Sequence, residues 1–299
     1  MSPLAEASEP ELVELLRRTG HVVDASEPLE LAVARFQRER GLNPSGLFDP
    51  ATRQRLAESA WSLGDRLLYL TRPYLRGDDV AALQDTLGVL GFDTGRVDGI
   101  FGPLTEHALS DFQRNCGLHP TGELTSATLA EVRRLAPRQP NRKNVSEVRE
   151  LAELHREPVS ALIGLWGSSP LRHLLHERLT PQFPVVLLEG DAHDAARDAN
   201  QQGVGLVLAL HEHPGLDHVG LYFYESYRFR SVTGSHVAEV VRRHFSSPTA
   251  MVTGGLSVAI LRETTSVALD VRHGTLDDEL REGLSDALLC AIGEVIHRP

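Results

Sequence analysis

Three histidines, His211, His213 and His218, fall within the eleven residues LALHEHPGLDH (Leu208–His218), directly behind an aliphatic run. Imidazoles so spaced can ligate zinc, and a hydrolytic zinc needs three protein ligands plus an open position for the water it acidifies. On an extended strand His211 and His213 point to the same face, so the pair could supply two ligands. Glu212, Asp217 or His218 could add a third, and His173 with His176, three apart on a helix, forms another pair. With fourteen histidines in the chain, chance alone produces such pairs, so a polar strand end holding no metal is the competing reading. Other chemistries lack their residues. No Gly-rich phosphate loop follows a strand, and there is no Gly-x-Ser-x-Gly elbow. Cys290 sits in ALLCAIGEVI, read as a buried helix face, and Cys116 sits beside a turn. Neither has a CxxC partner or an evident base, which fits a reducing compartment without a disulfide framework. Trp61 and Trp166 are expected in cores rather than as sugar platforms.

The elements that must carry the histidines lie in the C-terminal half. VSEVRELAELHRE, from Val145, is an amphipathic helix. VSALIGLW, PVVLLEG, VGLVLALH, VGLYFYE and SVALDV are apolar runs of strand length. Helical segments are expected at Leu171–Leu179, Ala192–Gly203, His236–Phe245 and Leu276–His297. Strands alternating with helices predict an α/β domain with a mostly parallel sheet and helices on both faces. Ligands in such sheets bind beyond the carboxyl ends of the strands. His211 ends one candidate strand, and Asp270 lies near the end of another.

The N-terminal half repeats itself. LAVARFQRERGLNPSGLFDPAT (Leu31–Thr52) aligns with HALSDFQRNCGLHPTGELTSAT (His107–Thr128) at an offset of 76, sharing Phe36/Phe112, Gln37/Gln113, Gly41/Gly117, Gly46/Gly122 and Thr52/Thr128 among others. Upstream, Leu12, Leu16 and Gly20 match Leu83, Leu87 and Gly91 at an offset of 71, so the first copy lacks residues at or beside VDGIFGP (Val97–Pro103). Such self-similarity means two copies of one unit. Each copy reads as three short helices around one core. In the second, Val80, Leu83, Leu87 and Leu90 make the stripe, Asp78 or Asp79 caps the start, and Thr105 and Thr125 open the next two helices. SAWSLGDRLLYLTRPYLR (Ser59–Arg76) connects the copies. RRLAPRQPNRKN (Arg133–Asn144), with Pro137, Pro140 and five basic residues, reads as a solvated linker or a contact for an acidic partner.

The stretch from Gly77 to Leu129 resembles the peptidoglycan-binding type 1 repeat, through Val-x-x-Leu-Gln, Val-Asp-Gly-x-Phe-Gly-Pro-x-Thr, Ala-Leu-x-x-Phe-Gln and Gly-Leu-x-x-x-Gly. The resemblance implies ligand contacts at the turn residues Asp98, Gly99, Phe101 and Gly102; purely structural helical modules are the alternative. RDANQQGVGLVLALHEH (Arg197–His213), GLYFYE and LRETTSVALDVRHGTLDDE (Leu261–Glu279) are similar to the type 3 family of zinc-dependent N-acetylmuramoyl-L-alanine amidases. That family's ligands are His, Glu and His. The first belongs in the turn that here reads GLWGSSP (Gly164–Pro170), without histidine, and the second falls near Ser168. His211 stands at the third, and Asp270 stands where the family has its catalytic glutamate. Arg262, in an intact Leu-Arg-x-Thr, is expected to bind an anion or to make a structural salt bridge.

The boundaries implied are a degenerate repeat over 1–60, a peptidoglycan-binding repeat over 61–136, a linker over 137–144 and an amidase-like domain over 145–299. The whole resembles pseudoenzymes of actinobacteria. A net charge of −11 disfavours nucleic acid and anionic membranes as partners. The acidic N-terminus, without a basic start or apolar core, and the lack of any membrane-length apolar run predict a cytoplasmic protein. The function expected is a non-catalytic pseudo-amidase, without cofactor. It binds peptidoglycan or a muramoyl-peptide precursor and regulates cell-wall synthesis, with a cytosolic protein of that synthesis as a possible partner. The alternative is an active zinc amidase with a rebuilt metal site.

Overall fold

In the first repeat Leu12, Leu16, Val33, Phe36 and Leu56 recur at helical spacing, and in the computed structural model they form one small core. The structure describes residues 8–21, 27–137, 144–153, 160–247 and 249–296. The expected linker falls largely on residues 138–143, outside that range, as do the first seven residues of the acidic N-terminus. Two compact units result. One comprises Met1–Arg149 with Ser226–Phe229, the other Glu150–Glu225 with Arg230–Pro299.

The first unit carries two helical triplets: α1 (Glu9–Arg18), α2 (Leu29–Glu39) and α3 (Pro50–Ser59), then α4 (Asp78–Val89), α5 (Pro103–Asn115) and α6 (Ser126–Leu135). The second core joins Val80, Leu83, Leu87, Phe101, Leu109, Phe112 and Val132. Thr125 caps α6, as expected, accepting from the Thr128 amide. The other two expected caps are displaced. Gly77 stands at the α4 cap, while Asp79 is buried and takes two hydrogen bonds from Arg66, at 2.7 and 3.0 Å. Gly102 stands at the α5 cap, and Thr105 lies inside its first turn. Trp61 is 38 % exposed rather than in the core, because the Arg66 guanidinium covers one face of its ring at 4.7 Å.

The shared glutamines explain the repeat. Gln113 donates to Thr128 Oγ1 (3.0 Å), the Glu123 carbonyl (2.8 Å) and Thr121 Oγ1 (3.2 Å), and its Oε1 accepts from the Gly122 amide (2.9 Å). Gln37 repeats the pattern 76 residues earlier, with Thr52, Leu47, Ser45 and Gly46. Gln84 makes it a third time, with Thr105, Ile100, Asp98 and Gly99. Each buried amide thereby uses its NH2 donors and its carbonyl oxygen and ties a helix to the turn that follows. The glycine must be glycine: Gly46, Gly99 and Gly122 all lie near φ +70°. At the position aligned with Gln84 the first copy has Val13, so this tie is lost together with the missing turn.

After α7 (Val145–Glu153), whose residues divide between the units at Arg149, the second unit carries six strands: β1 (Ile163–Trp166), β2 (Val185–Leu187), β3 (Leu206–Glu212), β4 (Val219–Tyr224), β5 (Met251–Leu256) and β6 (Val267–His273). Their order is β2-β1-β3-β6-β4-β5, parallel throughout except for β4 against β6. Five strands fall on the expected runs. β5 does not, since MVTGGL is a half-exposed edge strand whose glycines hide the alternation. One sheet face, with Leu206, Leu208, Leu210, Leu221, Phe223, Leu269 and Val271, packs on α8 (Leu171–Leu179), α10 (Val232–His244) and α12 (Asp278–Ile296). α10 starts four residues before the expected His236, because Ser231 caps it and the Glu150 carboxylate accepts from the Val232 amide at 2.6 Å. Cys290 is exposed: the buried stripe of α12 runs through Leu284, Leu288, Ala291 and Ile292 and leaves it outside. On the other face α11 (Ala259–Glu263) lies against β6 and β4, with α9 (Ala192–Gln202) beside it.

Gln84→Ala and Gln113→Ala each strand several buried polar groups, and each should cost about 1–3 kcal/mol. Urea denaturation checks this; the alignment also predicts that Val13, which holds no such cage, tolerates alanine with a smaller loss than either glutamine.

Candidate functional site

The second sheet face carries the chemistry, and strand register puts it there. Trp166 on β1 lies opposite Ala209, Ala209 opposite Asp270, and Asp270 opposite Tyr222, making one row across four strands. The next row places His211 opposite Arg272 and Arg272 opposite Gly220. Asp270 is therefore in the middle of β6 rather than near its end, and Arg272, two residues on, shares its face. The sequence reading missed Arg272, although this two-residue spacing on a strand was the signal for it.

Arg272 donates to one carboxylate oxygen, Oδ2 of Asp270, from Nε at 3.2 Å and Nη2 at 2.9 Å. The other oxygen, Oδ1, is buried without a hydrogen-bond partner and lies 4.0 Å from His211 Nε2. The Asp270 side chain is 2 % exposed, those of Arg272 and His211 18 % and 24 %. The guanidinium stacks 5.1 Å from the Tyr222 ring centroid. Gly220 makes room for that ring, since a Cβ there would lie 2.5 Å from its Cε2. The edge of Trp166 meets His211 at 5.1 Å, and the His213 ring is 6.3 Å from it. Burial holds the His211 imidazole below its ordinary pKa; the Asp270 carboxylate opposes this, while Arg272, His213 and His273 reinforce it.

The turn after β1 is shut against β3. Gly167, at φ +111°, leaves no room for a Cβ beside the Leu210 backbone. The Ser169 amide donates to the Leu210 carbonyl at 3.2 Å. His273, on the core side, has Nδ1 2.6 Å from the Gly274 carbonyl, which can only accept, so Nδ1 carries the proton and Nε2 accepts from Ser169 Oγ at 2.7 Å. This serine–histidine pair is buried and also receives the Leu171 amide, so it fastens the turn to β6 and opens α8.

The remaining expected residues are dispersed. His218 pairs with its neighbour Asp217, and His173 is exposed on α8. Among the described residues, no group of three or more His, Cys, Asp or Glu side chains could hold a metal ion. With Asp270 Oδ2 taken by a guanidinium and no room for a side chain at Gly167, the residues present do not fit a tightly held zinc. Arg262 is buried in α11. Around it the two motif stretches brace each other: Asn200 donates to the Glu263 carbonyl at 2.8 Å and accepts from the Thr265 amide and hydroxyl at 2.8 and 2.9 Å. In the first unit Asp98 and Gly99 belong to the Gln84 cage, Phe101 is buried in the core, and Gly102 starts α5.

Residues 76–131 match the family described as "Putative peptidoglycan binding domain". This stretch is thus similar to a peptidoglycan-binding repeat. Over 112 residues the chain is 45% identical to N-acetylmuramoyl-L-alanine amidase CwlM of Mycobacterium tuberculosis, covering 37% of this chain and 27% of that one. It is 28% identical over 124 residues to N-acetylmuramoyl-L-alanine amidase CwlL of Bacillus licheniformis, covering 35% and 34%. The chain thus spans about a third or less of the length of these curated relatives. Among solved structures, N-acetylmuramoyl-L-alanine amidase AmiC2 of Nostoc punctiforme superposes at a TM-score of 0.38 and 12% identity, over 47% of this chain and 99% of that one. The chain is similar to the CwlM type: a helical peptidoglycan-binding region and an amidase-like α/β unit.

Because the folded His211 resists protonation, the unfolded chain takes up the proton first as pH falls. The stability this confers is complete above the ordinary imidazole value and is lost as pH drops from there through the lower folded value. Denaturation midpoints measured from pH 7.5 to pH 5 should therefore fall more steeply for the native chain than for His211→Asn.

Proposed function

We propose that this chain is a non-catalytic pseudo-amidase that binds peptidoglycan or a muramoyl-peptide precursor and regulates cell-wall synthesis by occupancy, in the cytoplasm and without a cofactor. The peptidoglycan-binding-type repeat supports the ligand class. The observation that carries the absence of turnover is the state of Asp270. Amide hydrolysis needs an activated water and a carboxylate free to take its proton. Here Asp270, the carboxylate facing His211, is bound by Arg272, and no three side chains among the described residues assemble a metal site.

A binder of this kind resolves a conflict that an active enzyme would create in the cytoplasm, where cleavage of muramoyl-peptides would consume the precursors of the wall. Recognition without cleavage lets precursor abundance be read out to a partner enzyme of wall synthesis. The acidic overall charge agrees with a partner other than nucleic acid.

The test is a paired measurement on the purified chain. Calorimetric titration with N-acetylmuramoyl-L-alanyl peptides should show saturable binding, while chromatography of the same mixture after prolonged incubation shows no released peptide and metal analysis shows no zinc. Release of peptide, lost in His211→Ala and accompanied by stoichiometric zinc, would instead establish a working amidase with a rebuilt site. Absence of muropeptide binding, together with capture of a wall-synthesis protein, would leave a protein-only scaffold.

A further inference from the structure

We propose that this chain pairs with a second copy of itself through β5, the two β5 strands running antiparallel about a two-fold axis at Thr253 and joining two six-stranded sheets into one. The inference rests on the edge of the sheet and does not depend on which ligand the chain binds or on the absence of turnover.

A sheet edge exposes a row of backbone N–H and C=O groups, and proteins guard such edges with short strands, proline or charge. The two edges of this sheet differ in that respect. β2 is three residues long and follows Pro184. β5 runs for six residues, MVTGGL, without proline or charge. It lies within Phe245–Leu261, a stretch with no Asp, Glu, Lys, Arg or His in a chain that is 24% charged. Thr253 is exposed, and Val252 is 45 % exposed. A chain of net charge −11 repels its own copies, and a neutral edge is where two of them can meet without that repulsion.

Backbone direction fixes which groups the edge offers. The Val219 amide donates to the Ala250 carbonyl and the Glu225 amide to the Leu256 carbonyl, so the even-numbered residues of β5 face β4. Met251, Thr253 and Gly255 therefore turn their N–H and C=O groups outward, and among the described residues no strand lies on that side. An antiparallel copy centred on Thr253 meets all of them. Thr253 exchanges both bonds with its own copy, and Met251 exchanges both with the copy's Gly255. Centring on Val252 or Gly254 instead leaves Gly255 or Met251 beyond the end of the facing strand.

The side chains suit the same register, since residues directly opposite share a face of the sheet. Thr253 meets Thr253, a favourable cross-strand pair. Val252 meets the copy's Gly254, which has no side chain and lies beside the Tyr222 ring, 3.6 Å from where a Cβ would stand. The exposed valine thereby gains an apolar surface. Met251 meets Gly255, over which the Glu225 side chain lies. A strand that complements itself at one register takes a second copy rather than an unrelated peptide, and the contact is isologous.

Sedimentation of the full chain tests this. The native chain should dimerise with a dissociation constant below about 100 µM, as suits a small interface. Thr253→Lys sets two like charges at the axis and should weaken the dimer about fivefold or more. Thr253→Glu should do the same alone, and mixing the two variants should restore pairing, which only contact of residue 253 with its own copy explains. Thr253→Pro removes an outward amide that β4 does not use and should also weaken the dimer. Circular dichroism checks that each variant is folded, and where one is not, the others carry the test. A native chain that stays monomeric at that concentration overturns the proposal and leaves the edge to a strand of another protein. A dimer that the folded variants do not weaken, or lysine and glutamate variants that fail to pair when mixed, overturns it as well.

Discussion

A carboxylate buried on an interior strand must be given a positive charge, and the Asp270–Arg272 pair meets that requirement within two residues of β6. Much of the amidase-like unit's open face follows from it. The guanidinium needs a flat surface, which Tyr222 provides only because Gly220 lets its ring lie down. His211, half-buried beside that pair, has its pKa lowered by burial against the pull of the Asp270 carboxylate. The turn after β1, which has no ligand to present to an ion, can lie directly on the Leu210 backbone through Gly167. Charge compensation of Asp270 thus involves the neighbouring strand β4 as well as β6.

The helical unit obeys the same accounting of buried polar groups with a different device. A glutamine amide has two donors and one acceptor oxygen, and in three places the chain folds a turn around it so that each is used. A threonine hydroxyl, a carbonyl and a glycine amide recur in all three cages, which is why Gln37/Gln113, Gly46/Gly122 and Thr52/Thr128 are among the positions that match between the repeats. Their recurrence is structural before it is functional. Asp98 and Gly99 are occupied in holding α4 to the next turn, while Pro103 and Leu104 beside it are exposed.

The repeat, its helices and five of six strands could be read from the sequence because each rests on a local periodicity. The 76-residue offset, the leucine stripe of α4 and the runs behind β3 and β6 are contiguous signals. What escaped depends on partners far away in sequence. Asp79 looks like a helix cap until Arg66 claims it, and Thr105 looks like one until Gln84 does. β5 is an edge strand whose Gly254 and Gly255 carry no pattern. At the site, His211 and Asp270 were legible as single residues, whereas their relation to Trp166, Tyr222 and Arg272 is a property of strand register. Strand order is not written in any one segment, so the row across β1, β3, β6 and β4 could not be assembled beforehand.

Register also explains how the site could be rewritten without loss of the fold. Side chains alternate across the sheet, so the residues that bury the leucine core against α8, α10 and α12 are not those that face Asp270. Folding of this unit draws on that core, on the Ser169–His273 bond and on the clamp between Asn200 and Thr265. None of these uses His211, Asp270 or Arg272. The site can therefore vary without disturbing the core, provided the buried carboxylate keeps a positive partner at the right parity, and Arg272 supplies it through Oδ2 while Oδ1 stays without a hydrogen bond.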